Sequence, residues 1–441
     1  ERHAPTLLPP GPAALTRRAL TLSALAAGTA ARLAAAWVAA WFTGPPTTRR
    51  DRFGAAAATV AQRQVQRAGA TFIKGAQLLS TRLDLLSPSM CRALSRLQDD
   101  VAMIPPGRVP GLLADRLGLP PAEVFDELDP VPIASGSIAC VYRAVLADGT
   151  TVAVKLRRPG LQALVTADLR LLRLGTAVLA RTPLLRGLPA REAVDQLGTA
   201  IVAQLDFTRE ASALTTVASA LAGFEAVRVP LPHPELGGPD QTGAGILIMD
   251  FMAGLSRRRP EDLGRAASEQ AVETSLNAVY KMLFLDGLVH CDLHPGNLYF
   301  DTDGTVCLLD AGFIVELSPQ AHRAFTEFFF RMGTGNERRC ADLVLSTATA
   351  PAGFDESAFR ADIGALVRSV TGVHADAFNL LDFSTRLFAL QRTHGLFADP
   401  QFIFPLLGLL VLEGAIKDFH PFADFQTLAV PYLMNAIFTA S

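Results

Sequence analysis

Two short polar strings that flank one apolar run constrain this chain more than anything else in it. They read His290-Cys291-Asp292-Leu293-His294-Pro295-Gly296-Asn297 and Leu308-Leu309-Asp310-Ala311-Gly312. Phosphoryl transfer needs an Asp facing the nucleophilic oxygen, together with an Asn and a second Asp to hold the magnesium that bridges nucleotide phosphates. Magnesium takes hard oxygen ligands and few protein groups, so Asn297 and Asp310 suffice for it. The run 305–309 reads as a strand that sets the two strings on opposite sides of the phosphates. Singly, each string is common; in this order, with a strand between them, they are specific. His290 and His294 also have the spacing of a zinc-binding helix, but Pro295-Gly296 breaks such a helix, so His290 reads as a structural histidine of the loop.

The strings fit the kinase patterns H-x-D-x-x-x-x-N and D-x-G, and two further segments fall in kinase order upstream. Ala134-Ser135-Gly136-Ser137-Ile138-Ala139-Cys140-Val141 overlays the phosphate loop G-x-G-x-x-G-x-V, with Ala in place of the first and third glycines. Backbone N–H groups must approach phosphates there, so small residues are required. Alone this is weak, and an Ala-rich turn explains it as well. Val152-Ala153-Val154-Lys155 strengthens it, because it fits the V-A-I-K strand that carries a phosphate-binding lysine. Such a lysine needs a counter-ion, for which the segment 191–221 offers Asp206 and Glu210; Glu210 is the choice. Ile246-Leu247-Ile248-Met249-Asp250-Phe251-Met252 reads as a buried strand, and its place in the order makes 249–252 the hinge that would meet an adenine.

The rest of the pattern sets the frame. Half of the 441 residues are hydrophobic and 19% are charged, which excludes global disorder. The formal charge of −2 argues against a dedicated nucleic-acid binder. Five cysteines, at 91, 140, 291, 307 and 340, show no C-x-x-C pair, which fits a reducing compartment. The stretch 19–42 is almost continuously apolar, with Arg32 inside it, Arg17 and Arg18 before it, and Trp37 and Trp41 near its end. Two readings stay open: a helix lying on a membrane surface, or an Ala-rich helix packed on its own domain. The run lacks signal-peptide form, being long with no clear cleavage site after it. Residues 53–128 read as mostly helical, 138–145 and 151–156 as a hairpin through Asp148-Gly149, and 161–185, 191–221 and 269–285 as helices. The remainder reads as helical, and the apolar run 402–412 as a buried core helix, being too short to span a bilayer and containing Pro405.

On these residues the chain resembles the UbiB/AarF family of atypical kinases. The discriminating segment precedes the phosphate loop: Phe72-Ile73-Lys74-Gly75-Ala76-Gln77-Leu78-Leu79-Ser80-Thr81-Arg82-Leu83-Asp84-Leu85-Leu86 is similar to that family's K-x-G-Q element and the S-T-R-x-D-L after it. Residues 132–144 resemble its alanine-rich loop, and Gln204-Leu205-Asp206-Phe207 with Glu210 its E-x-D helix. The likeness runs from about 53 to 425. There are departures: K-x-G-Q reads K-G-A-Q, the E-x-D glutamate is Gln204, Gly136 stands within the alanine-rich loop, and Ala311 replaces the D-F-G phenylalanine. In the family the K-x-G-Q helix covers the peptide site of a protein kinase, and its members are regarded as ATPases or small-molecule kinases of isoprenoid quinone or lipid metabolism. The resemblance implies a regulatory role for Lys74, Gln77 and Gln204, with Gln204 removing the charge partner of Lys74 and loosening that lid.

The expectations are therefore as follows. The fold is α+β, a bilobal kinase-like fold with a helical N-terminal extension, divided into 1–52, 53–128, 129–252 and 253–441. Lys155 holds the phosphates of ATP or ADP and is oriented by Glu210, Asn297 and Asp310 ligate Mg2+, and Asp292 positions or deprotonates water or a substrate hydroxyl. Ala134, Ser135, Gly136, Ser137, Ile138, Val141, Ala153, Met249, Asp250, Phe251 and Met252 line the nucleotide site. Expected partners are the nucleotide and a small-molecule or lipid acceptor, with no nucleic acid. The expected location is the cytoplasm, including the membrane periphery. Two alternatives are an aminoglycoside-phosphotransferase-like small-molecule kinase, which shares the catalytic loop but not 74–86, and a nucleotide-binding pseudokinase scaffold.

Overall fold

The computed structural model describes residues 11–42, 49–80, 94, 102–179, 190–236, 245–255, 260–301, 303–372, 378–421 and 423–439. Thr81–Leu86 of the family-like segment lie outside them, as does Cys91. The chain forms two compact units, one of residues 1–209 with 233–249 and one of 210–232 with 250–441.

The first unit holds a sheet whose strand order is β1-β3-β4-β6, with β2 paired on β3 and with β1, β2 and β4 all antiparallel to β3. These are β1 (Phe125–Leu128), β2 (Ala134–Ser135), β3 (Ala139–Leu146), β4 (Thr151–Arg157) and β6 (Ile246–Asp250). The β3–β4 hairpin turns at Asp148-Gly149: Gly149 takes a φ of 84°, which only glycine adopts without strain, and the Thr150 N–H donates to Asp148 Oδ1 at 2.9 Å. The strand period of two then sorts the hairpin's faces. Cys140, Tyr142, Ala144, Val152, Val154 and Leu156 bury one face, with Val109, Leu113 and Leu117 of the Val109–Leu117 helix in the same core. Val141, Arg143, Ala153 and Lys155 take the other face. β1 corrects the helical reading of 53–128 at its end, where pairing of Leu128 with Ala144 makes those residues a strand.

Helices complete this unit. The segment 161–185 forms a helix over Leu161–Leu179, with 180–185 outside the described residues. Residues 191–221 do not make one helix but two, Ala190–Ala203 in this unit and Phe207–Ala220, which passes into the second unit from Glu210 on. The break has a local cause: Gln204–Asp206 wind into tight turns, and Asp206 Oδ1 accepts the Thr208 N–H at 3.0 Å, starting a new helix. The Ala70–Ser80 helix carries Lys74 and Gln77, and Gly75 in it lets Ile201 approach within 3.8 Å of the site of an added Cβ. The N-terminal helix, Pro12–Phe42, is 31 residues and long and apolar enough to cross a membrane by length and composition alone. Arg18 fastens it: its guanidinium meets the fully buried Asp168 at 2.5 and 2.9 Å, Asp168 also accepts from Thr71 Oγ1 at 2.7 Å, and Arg18 donates to the Ala68 carbonyl. Trp37 packs edge-on against Phe53 at 5.1 Å. Leu20, Val38, Trp41 and Phe42 remain exposed.

The second unit is mainly helical, with three small sheets among its described residues. β5 (Val227–Arg228), β9 (Val306–Leu308) and β8 (Leu298–Phe300) form one, with β9 central; β7 (Leu288–His290) and β10 (Ile314–Glu316) form a second. The third pairs Ala348–Thr349 with Phe397–Ala398. The Arg265–Tyr280 helix loosens into a π turn at Lys281–Leu285, and Gly287, at φ 69°, releases the chain into β7. The run 402–412 lies in a buried helix, Pro400–Ile416, as the sequence indicates. The described cysteines, Cys140, Cys291, Cys307 and Cys340, are all buried free thiols.

Candidate functional site

Two strand pairings bring the polar strings side by side in the second unit. β7 leads into 291–297 and β8 leaves it, while β9 leads into 309–313 and β10 leaves it. Because β8 pairs with β9 and β7 with β10, both loops are fastened at both ends. The Leu309 N–H donates to the Asn297 carbonyl at 2.9 Å, and the Cys291 N–H to the Phe313 carbonyl at 3.0 Å.

His290 joins the loops. Its Nδ1 accepts the Asp292 N–H at 3.2 Å, so the neutral ring carries its proton on Nε2, which faces the Asp310 carbonyl at 2.7 Å. Burial lowers the pKa of this histidine and favours that neutral form. With both nitrogens engaged, His290 is no zinc ligand, and its structural reading stands on geometry. Among the described residues no group of three or more His, Cys, Asp or Glu side chains is placed to hold a metal by itself.

The acidic and amide groups of the two loops lie close together. Asn297 Nδ2 donates to the Asp292 carbonyl at 2.9 Å, and the amide Oδ1 is its acceptor atom. Asp310 Oδ1 accepts the Gly312 N–H at 2.6 Å. Glu210, almost wholly buried, approaches the same turn: a Cβ built on Gly312 would lie 2.9 Å from Asp310 Oδ1 and 3.9 Å from Glu210 Oε2. Two carboxylates converging on one glycine favour a cation beside them. The donor set is all oxygen, which suits magnesium rather than a softer metal.

The first unit presents a second set of candidate residues. Val141 lies opposite Lys155 and Arg143 opposite Ala153 in the β3–β4 register, so Val141, Ala153 and Lys155 share the sheet face turned away from the core. Lys155 Nζ sits 5.5 Å from the centre of the Phe207 ring. Glu210 follows Phe207 by three residues on one helix, and residues at that spacing project from one side. The loop before β3 folds back on it, with Ala134 opposite Val141 and Ser135 opposite Cys140. Arg158 pins it by donating to the Gly136 carbonyl at 2.8 Å and to Ser135 Oγ at 2.9 Å. Gly136 has an ordinary φ, and a Cβ there would meet only the Ala139 carbonyl at 3.6 Å. Ser137 is buried with an unpartnered hydroxyl, and Ile138 packs beside Leu161, Val165 and Leu205.

The remaining candidates lie as follows. Met249 is buried at the end of β6, and Phe251 and Met252 are half-buried beyond it. Asp250 is engaged with Leu231, its N–H donating to that carbonyl and its Oδ2 accepting that N–H, both at 2.9 Å. Lys74 and Gln77 sit on the Ala70–Ser80 helix, and Gln204, buried, ends the Ala190–Ala203 helix.

Sequence reasoning missed two contributors. Phe207 could have been noticed as the large apolar residue one turn before Glu210. Gly408, in the Pro400–Ile416 helix, lets that helix cross β7 closely: a Cβ there would lie 2.9 Å from the His290 carbonyl oxygen and 3.3 Å from Val289 Cγ1. A lone glycine amid large apolar residues was its only signal.

Comparison with known proteins bears on the family and the fold. Residues 96–344 match the model of the ABC1 atypical kinase-like domain, over half of the chain. An uncharacterized protein of Synechocystis sp. is 28% identical over 338 residues, covering 74% of this chain and 82% of its own. A protein of Marinobacter nauticus named "Probable protein kinase UbiB" is 28% identical over 399 residues, covering 89% and 71%. A Pseudomonas putida protein of the same name is 29% identical over 376 residues, covering 84% and 69%. The structure titled as the complex of Rv3197 with erythromycin, from Mycobacterium tuberculosis, aligns with a TM-score of 0.56 at 19% identity, over 74% of this chain and 82% of that one. At that identity the likeness concerns the fold, which is kinase-like with mixed helices and sheets and a helical N-terminal region. The chain belongs to the ABC1 atypical kinase-like family.

Proposed function

We propose that the protein binds Mg-ATP or Mg-ADP and catalyses phosphoryl transfer from ATP, to water or to the hydroxyl of a small molecule. The observation that carries this reading is the coupling of the two loops: His290 ties the Asp310 backbone to the Asp292 backbone, and Asn297 is tied in turn to Asp292. A site so restrained holds a base and two metal-binding oxygens without reorganising, which is how positioning and electrostatics lower such barriers. Lys155 would take the α/β-phosphates with Glu210 as its counter-ion, and Val141 and Ala153 would face the adenine. Asn297 Oδ1 and Asp310 would hold magnesium, which when bound neutralises charge on the phosphate oxygens. Asp292 orients the attacking hydroxyl and accepts its proton.

The acceptor belongs, in this proposal, to isoprenoid quinone or membrane lipid metabolism. The family resemblance supports it, and so does the exposure of Leu20, Val38, Trp41 and Phe42 on the N-terminal helix, a surface suited to peripheral contact with a bilayer. The test is nucleotide hydrolysis with and without lipid vesicles, comparing wild type with Asp292→Asn. The variant should retain nucleotide and lose turnover; turnover at the wild-type rate would end the assignment of Asp292 as base.

A further inference from the structure

The loop contains a second histidine for which the proposed mechanism gives no role. His294 Nδ1 accepts the Gly296 N–H at 2.9 Å. A neutral imidazole carries one proton, so it sits on Nε2. Nε2 lies 3.7 Å from Asp292 Oδ1 and 3.4 Å from Asn297 Nδ2. Asn297 Nδ2 is itself a donor, already directed at the Asp292 carbonyl, so it offers no acceptor to a second donor. The group that matches Nε2–H is the Asp292 carboxylate. His290 and His294 thus repeat one device: each takes the N–H two residues on at Nδ1 and aims Nε2–H at an Asp of the site.

We infer that His294 is the positioning residue for Asp292: its Nε2–H holds Oδ1 and leaves Oδ2 to face the attacking hydroxyl. This rests on the phosphoryl-transfer reading above. The present separation exceeds a hydrogen bond, and catalytic hydrogen bonds of this kind commonly tighten only once substrate is bound. In the step itself the acceptor oxygen bonds to the γ-phosphorus and its proton passes to Asp292 Oδ2. The bond from that phosphorus to the β–γ bridging oxygen breaks, and its electron pair leaves with ADP. His294 keeps its proton throughout. Its function is to fix which carboxylate oxygen takes the substrate's proton.

The two imidazole nitrogens can be tested separately. Asparagine reproduces the Nδ1 position and can still cap Gly296, while glutamine places an amide N–H near Nε2. In the full-length chain, His294→Asn should keep the wild-type melting temperature and Mg-ATP affinity while kcat falls by roughly ten- to a hundred-fold, as is common for supporting hydrogen-bond partners. His294→Gln should recover most of that loss. In an Asp292→Asn background, His294→Asn should have no further effect. Independently of nucleotide, 15N NMR should show the His294 ring protonated on Nε2. The inference is overturned if His294→Asn turns over at the wild-type rate, if His294→Gln turns over no faster than His294→Asn, or if the ring is protonated on Nδ1. A wild-type chain with no turnover refutes the function proposed above and this inference with it, whereas active wild type with active His294→Asn refutes this inference alone.

Discussion

Replacing Gly408 by alanine sets two effects of similar size against each other, and the structure decides between them. Within a helix, alanine is preferred to glycine by up to about 1 kcal/mol. Against this, the new methyl would stand 2.9 Å from the His290 carbonyl oxygen, where ordinary van der Waals contact begins at 3.4 Å. Either the Pro400–Ile416 helix or β7 must withdraw by some half an ångström, and overpacking of this kind costs about 1–3 kcal/mol. The net loss should be up to about 2 kcal/mol, or up to roughly 8 °C of melting temperature for a unit of this size. The displacement lands on the residue whose ring ties Asp292 to Asp310, so nucleotide turnover should fall roughly tenfold, given that misplacement by 1 Å costs a hundredfold. Differential scanning calorimetry and steady-state ATP hydrolysis measure both. A Gly408→Ala protein that melts at or above wild type with unchanged kcat would refute the claim that this helix sets the position of the catalytic loop.

Three further outcomes are expected. Arg18→Met leaves the buried Asp168 carboxylate without its cation, which should cost about 3–5 kcal/mol, while the double change Arg18→Met with Asp168→Asn should recover part of it; single and double variants that melt with wild type would show that the pair does not hold the N-terminal helix. Gly136→Ala should keep or slightly raise stability, by about 0.4–1 kcal/mol, because the backbone there is ordinary and the space is open; a clear drop in urea midpoint would contradict that. Burial raises the Glu413 pKa, so folding favours the protonated form: its contribution is present below about pH 4.5, the unfolded value, and is lost as pH rises through the folded value. Glu413→Gln should therefore gain stability over wild type between pH 4.5 and 7, and a melting-temperature difference that stays flat or reverses over that range would overturn the sign.

The parts of the fold legible in the sequence are those dictated by local chemistry. Asp148-Gly149 fixes the hairpin, alternation assigns Val152, Val154 and Leu156 to the core, and the period of two then puts Val141, Ala153 and Lys155 together. The loop strings were legible because phosphate and magnesium chemistry restricts residue type. What escaped depends on distant pairing or on local polar caps that apolar periodicity does not register. Phe125–Leu128 becomes a strand only because β3 is there to receive it. The break at 204–206 depends on Asp206 starting a helix, which apolar periodicity alone does not register. Gly408 looks like any helix glycine until the His290 carbonyl is placed beside it. His294 reads in the sequence as half of a zinc pair that Pro295-Gly296 argues against; its place beside Asp292 shows only once the Gly296 N–H is seen to occupy Nδ1.

The most direct test of the proposal that Lys155 and Asp310 serve one nucleotide is a titration of the full chain with Mg-ATP in a double-mutant cycle. Lys155→Met and Asp310→Asn should each weaken binding at least tenfold, and the double variant should lose less than the product of the two single effects. Wild-type affinity in both single variants, or losses that simply multiply, would contradict it.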